Sequence, residues 1–158
     1  MKHVRFRLLA VATLGLIAFS ACKKDKDNGA SSQFSATISG TAFAPSAVSA
    51  VHDQSIISIT AVQPTSTDTM VMTLYIPDTA QVNNNVTFNQ STIVFEKVKS
   101  GTFYQTYGGN PSHGIITFTS YDKTNKKIAG TFSGVVYNAV TNYDSIVITN
   151  GKFNTSYQ

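Results

Sequence analysis

The chain has 158 residues with one cysteine, no tryptophan and three histidines, and its formal net charge is +4. That surplus belongs to the first 33 residues, which hold both arginines; from Phe34 to Gln158 six lysines face six acids. A neutral, arginine-free domain lacks the basic patch that nucleic-acid binding requires, and a lone cysteine excludes an internal disulfide framework.

In chain order, the basic start MKHVRFR leads into Leu8 to Phe19, twelve residues without a charge, and then Ser20, Ala21 and Cys22. A basic start, a short apolar run and small residues before a cut describe a secretory signal over residues 1–21. As a helix, twelve residues rise only about 18 Å, short of the roughly 30 Å hydrocarbon core, which disfavours a membrane span. A cysteine directly after the small residues makes the segment resemble the lipobox of bacterial lipoproteins, with Phe19 standing where Leu is usual. That resemblance implies cleavage before Cys22 and acylation of its thiol, a palmitate-type anchor that holds the protein to a membrane.

Residues 22–33, CKKDKDNGASSQ, are charged or small and read as a flexible tether. Lys24-Asp25-Lys26-Asp27 resembles the charged export signal of surface lipoproteins in the Bacteroidota. It implies an outer-membrane protein displayed at the cell surface. A solvated spacer, with the domain on the periplasmic face, is the alternative.

The stretch 34–158 suits one domain rich in Thr, Ser, Val, Ile, Phe and Tyr, preferences of a pleated, half-buried surface. Apolar residues alternate in Phe34 to Ile38, turn at Ser39-Gly40 and continue in Thr41 to Phe43. Ala47 to Val51 and Ile56 to Val62 flank His52-Asp53-Gln54 as a hairpin, and Met70 to Ile76 ends at Pro77-Asp78. Val86 to Phe88 and Ile93 to Val98 flank Asn89-Gln90-Ser91. Thr102 to Tyr107 is expected to close at Gly108-Gly109-Asn110-Pro111, before Ile115 to Tyr121 and Ile128 to Tyr137.

In the last strand, Ser145 to Tyr157, Ile146 and Ile148 share one parity and Phe153 has the other. A bulge at Asn150-Gly151 would restore the core face; a hairpin turn there is the alternative. No helical periodicity follows the signal. About nine short strands predict an all-β fold, an antiparallel β-sandwich, with a closed β-barrel as the alternative.

Gly114-IITFTSYDKTNKKIAGTFSG and Ser145-IVITNGKF resemble the C-terminal half of small Bacteroidota lipoproteins that carry an uncharacterised domain. Strands of the form I-x-G-T-F and V-x-I-x-x-G-x-F recur in them. The resemblance implies a β-sandwich and brings no functional residues.

Chemistry is sparse. The mature chain holds His52 and His113, with no HExxH, no CxxC and no paired histidines, so no metal or cofactor is expected. Asp53, Asp68, Asp78, Asp122 and Asp144 are spread one to a loop, the ordinary place for Asp in turns. Glu96 is the only glutamate and, with Lys97 and Lys99, reads as a solvated strand edge. A hydrolase would need His52 or His113 to meet a serine and an acid, and no G-x-S-x-G elbow occurs, so an enzyme is not expected.

Tyr104, Tyr107 and Asn110 form the candidate ligand patch, because tyrosine and amide groups stack on and hydrogen-bond sugars. Thr69, Thr79 and Ser145 each follow Asp and precede an apolar residue, which resembles the O-glycosylation acceptor of exported Bacteroidota proteins. The leading expectation is a non-enzymatic binding or assembly module whose partner is a glycan or an envelope protein. A small-ligand carrier with a barrel cavity comes second and the hydrolase third.

Overall fold

Side chains that alternate between apolar and polar can bury one face of a strand and wet the other, and this pattern builds the whole domain. The computed structural model describes residues 32–87, 93–141 and 143–158. The signal segment, Cys22 and the tether up to residue 31 lie outside the described residues, as do Phe88 and Asn89-Gln90-Ser91. In the first half the strands are β1 Gln33–Ile38, β2 Thr41–Phe43, β3 Ala47–Asp53, β4 Ile56–Pro64 and β5 Thr69–Pro77. The second half holds β6 Asn85–Thr87, β7 Ile93–Lys99, β8 Thr102–Asp122, β9 Lys127–Asn138 and β10 Ser145–Ser156.

All pairings are antiparallel, and the strands form one sheet in the order β2-β1-β10-β9-β8-β7-β5-β4-β3, with β6 on β8. Laid flat, nine strands would be roughly 38 Å wide at the usual spacing of about 4.8 Å. The two outermost strands, β2 and β3, are consecutive in the chain with only residues 44–46 between them. So short a link reaches at most about 14 Å. The sheet therefore curls, and one end strand, β3, meets the C-terminal tail that follows β10: Gln158 N donates to Ala50 O (3.1 Å) and His52 N to Gln158 O (3.0 Å). The expected all-β antiparallel fold takes the form of a half-barrel whose opposed walls enclose one core.

That core is the inward face of every long strand. It includes Ile57 and Ile59 of β4, Met72, Leu74 and Ile76 of β5, Ile93 and Phe95 of β7, and Ile116 and Phe118 of β8. Phe132 and Phe153 tilt over one another at 6.4 Å, while Phe43 meets Phe95 edge-on at 6.4 Å across the interior. No buried side-chain polar atom among the described residues lacks a hydrogen-bond partner.

Three local expectations change. The hairpin expected at His52-Asp53-Gln54 turns one step later, at Gln54-Ser55, where Gln54 takes a left-handed φ of 54°. His52 consequently belongs to β3, opposite Ile57. The stretch Gly108 to Pro111 does not end a strand: β8 runs unbroken for 21 residues. Tyr107 pairs with Asn138 and Ile116 with Phe132, so both halves lie antiparallel on β9 and a reversing turn between them is excluded. The extra residues are absorbed by register shifts on either side of Gly109, positions where a proline without an N–H is tolerated. Finally, β7 lies between β5 and β8, so Glu96, Lys97 and Lys99 do not form a sheet edge.

The bulge in β10 is present. Ile148 pairs with Gly134 and Gly151 with Phe132, three steps against two, and β1 shows the same extra residue between Thr149 and Lys152. Asn150 sits there at φ 53°, and beyond it Gly151, Phe153, Thr155 and Tyr157 all face inward.

Candidate functional site

Strand directions give the half-barrel two unlike poles. β1 starts at Gln33, opposite Asn154, and ends at Ile38, opposite Ile148. The chain thus enters beside the turn Lys123–Lys126 and the C-terminal residues. The opposite pole carries the Ser39-Gly40 turn, the loop 65–68 and the link between β9 and β10.

At that second pole the interior opens into a cavity of about 420 Å³. Phe43, Phe95, Met70 and Ile146 supply an apolar floor, and Lys97, Tyr107, Asp144 and Ser145 the polar part of the wall. Within β7 the inward parity runs Ile93, Phe95, Lys97, which places an ammonium where alternation calls for a hydrocarbon. Lys97 is half-buried, and no carboxylate lies within 4.0 Å of it among the described residues.

Beside it the Tyr107 hydroxyl donates to Asp144 Oδ2 at 2.6 Å. Burial first, then this donation and the Asp144 charge, pushes the phenol up to about 12, and a side-chain hydrogen bond from Asn138 opposes them. Asn138 Oδ1 in turn accepts from the N–H groups of Val140 (2.9 Å) and Thr141 (3.1 Å), which fixes the rim loop after β9. Tyr104, three residues before Tyr107, is raised by desolvation and then by the nearby Asp68 carboxylate.

The rim itself is apolar and wet. Phe103 and Tyr104 are 59% and 48% exposed, and Val140 and Tyr143 are 89% and 97% exposed.

The three ligand candidates from the sequence are therefore separated by depth. Tyr107 is buried with its hydroxyl committed to Asp144, Tyr104 stands at the rim, and the side chain of Asn110 lies outside the described residues. Of the three modification candidates, Thr69 opens β5 half-buried, Thr79 is exposed in the turn after β5, and Ser145 is exposed on the cavity wall. Lys97, Met70 and Asp144 line the cavity although residue type and spacing do not mark them as ligand residues. The inward parity of Lys97 in IVFEKVK is the available signal, hidden by its two charged neighbours.

The histidines stand elsewhere. His52 Nε2 lies 3.4 Å from Asp78 Oδ2 at the chain-entry pole, with the Tyr157 ring edge-on at 5.8 Å. Tyr121 lies beyond, its phenol pushed up to about 12 by burial and then by the adjacent Tyr157. His113 is exposed on β8 opposite Val135. No serine hydroxyl hydrogen-bonds either histidine among the described residues, and no three His, Cys, Asp or Glu side chains there cluster as a metal site. No family model, curated protein or solved structure matches the chain.

Proposed function

We propose that this protein is a non-enzymatic outer-membrane lipoprotein, anchored through lipid on Cys22 and displayed at the cell surface, whose open pole is a binding site. The observation that carries the reading is polarity: the chain enters at one pole and the cavity, with its apolar rim, opens at the other. Attachment of the anchor through residues 22–33 at the entry pole makes the opening the part of the domain farthest from the anchor. The signal Leu8 to Phe19 followed by Ser20-Ala21-Cys22 supports the anchor itself. A small-ligand carrier on the periplasmic face is the second reading, and the cavity favours it equally. The two differ in orientation rather than in site.

Membrane fractionation tests the anchor. The native protein is expected in the outer-membrane fraction and the Cys22→Ser chain in the soluble fraction, since several acyl chains at about 0.8 kcal/mol per buried CH₂ supply the attachment. Retention of Cys22→Ser in the membrane would remove the lipoprotein reading. O-glycosylation at Thr69, Thr79 and Ser145 belongs to the same proposal. An intact mass equal to acylated polypeptide alone would contradict it.

A further inference from the structure

We propose that the open pole binds a small amphiphile with an anionic head, seating its apolar body on Phe43, Phe95 and Met70 and its head at Lys97. This rests on the reading of that pole as a binding site and names the class of ligand. The size comes first: a cavity of about 420 Å³ is at the lower end of small-molecule sites and too small for an extended polymer or a folded partner. The lining comes second, because its apolar floor of Phe43, Phe95 and Ile146 is continuous with the core while Lys97, Tyr107 and Asp144 add polar groups to the same wall.

The sign of the head follows from which polar groups are already occupied. Asp144 accepts the Tyr107 hydroxyl, and Tyr107 spends its proton on that bond. Asn138 holds the rim loop through its oxygen and Tyr107 through its amide. Lys97 has no acidic partner within 4.0 Å among the described residues, although it is half-buried. A lysine on a cavity wall with no acid beside it pairs favourably with an anion, and a ligand carboxylate would supply a charge-assisted hydrogen bond. A cationic head would be repelled by Lys97, and the carboxylate on the wall, Asp144, already accepts the Tyr107 hydroxyl.

Calorimetric titration of the full chain carrying Cys22→Ser, which keeps detergent out of the assay, tests this with octanoate, octanol and octylammonium. These probes share a tail and differ in the head. Octanoate is expected to bind at least about tenfold tighter than either of the others. Lys97→Met, which keeps an apolar stem, should abolish that preference, so that octanoate no longer binds tighter than octanol. Ala42→Trp, at an exposed position on the cavity wall, should block all binding. Both variants are checked by thermal melting.

Equal affinity for the three probes, blocked by Ala42→Trp, would overturn the anionic head and leave the binding pole standing. A preference for octanoate that survives Lys97→Met has the same meaning. Binding untouched by both substitutions would place the site elsewhere and overturn both proposals, as would no binding of any probe.

Discussion

Two glycine–phenylalanine pairs interlock where β9 meets β10. Gly151 lies opposite Phe132 and Gly130 opposite Phe153, so each ring covers the backbone of the glycine across from it. A Cβ on Gly151 would run into the Phe132 carbonyl oxygen and stand 2.5 Å from Phe132 Cδ2, and one on Gly130 would run into the Thr117 carbonyl oxygen and stand 2.6 Å from Phe153 Cζ. Either methyl must displace a neighbouring strand as well as an aromatic ring, so Gly130→Ala and Gly151→Ala should each cost at least about 1–3 kcal/mol in urea unfolding. An unchanged midpoint would contradict this close approach of the strands.

Tyrosine gives a second test at this scale. Tyr107 and Tyr121 are raised from about 10 to about 12, so the folded state favours the neutral phenol. Their contribution is complete below about pH 10 and is lost as pH rises towards about 12, because the unfolded chain deprotonates first. Urea midpoints across that window should fall, and less steeply in Tyr121→Phe. An equal slope in that variant would contradict the assignment.

Among elements, the three long C-terminal strands contrast in how much their residues disclose. In β10 the parity change between Ile148 and Phe153, with Asn150-Gly151 between them, announces a bulge from the residue pattern alone. The motif I-A-G-T-F of β9 likewise announces a strand, but that its glycine receives a ring from β10 depends on register between strands. In β8 the local signal misleads: Gly108-Gly109-Asn110-Pro111 has turn composition, and only pairing of both flanks with one partner shows otherwise. Lys97 is obscured for a related reason, because its inward direction is a property of β7 lying between two neighbours.

Deleting Asn150 tests the bulge. Ile148 and Gly151 would then be two steps apart, matching Gly134 and Phe132, so Phe153, Thr155 and Tyr157 keep the inward face in a regular strand and the chain should keep its cooperative thermal transition; loss of that transition would contradict the bulge. Asn150→Gly, which meets the φ of 53° without strain, should stay within about 1 kcal/mol of the parent.

For the whole molecule, curling covers part of one sheet edge and shapes the cavity with the same geometry. The three-residue link from β2 to β3 limits how far apart the end strands stand, and Gln158 bonds the β3 edge at Ala50 and His52. The walls pack solidly through Ile57, Met72, Phe118 and Phe132. They open towards the pole where Lys97 and Asp144 replace hydrocarbon, away from chain entry. Surface display requires that pole to face outward from the cell.

Membrane-impermeant maleimide on intact cells measures this directly, because Cys22 is the only native cysteine. A cysteine placed at Val140, 89% exposed on the rim, supplies the probe. Labelling of Val140→Cys on intact cells, at the level reached after lysis, is the predicted result. Labelling only after lysis would contradict surface display and place the opening in the periplasm.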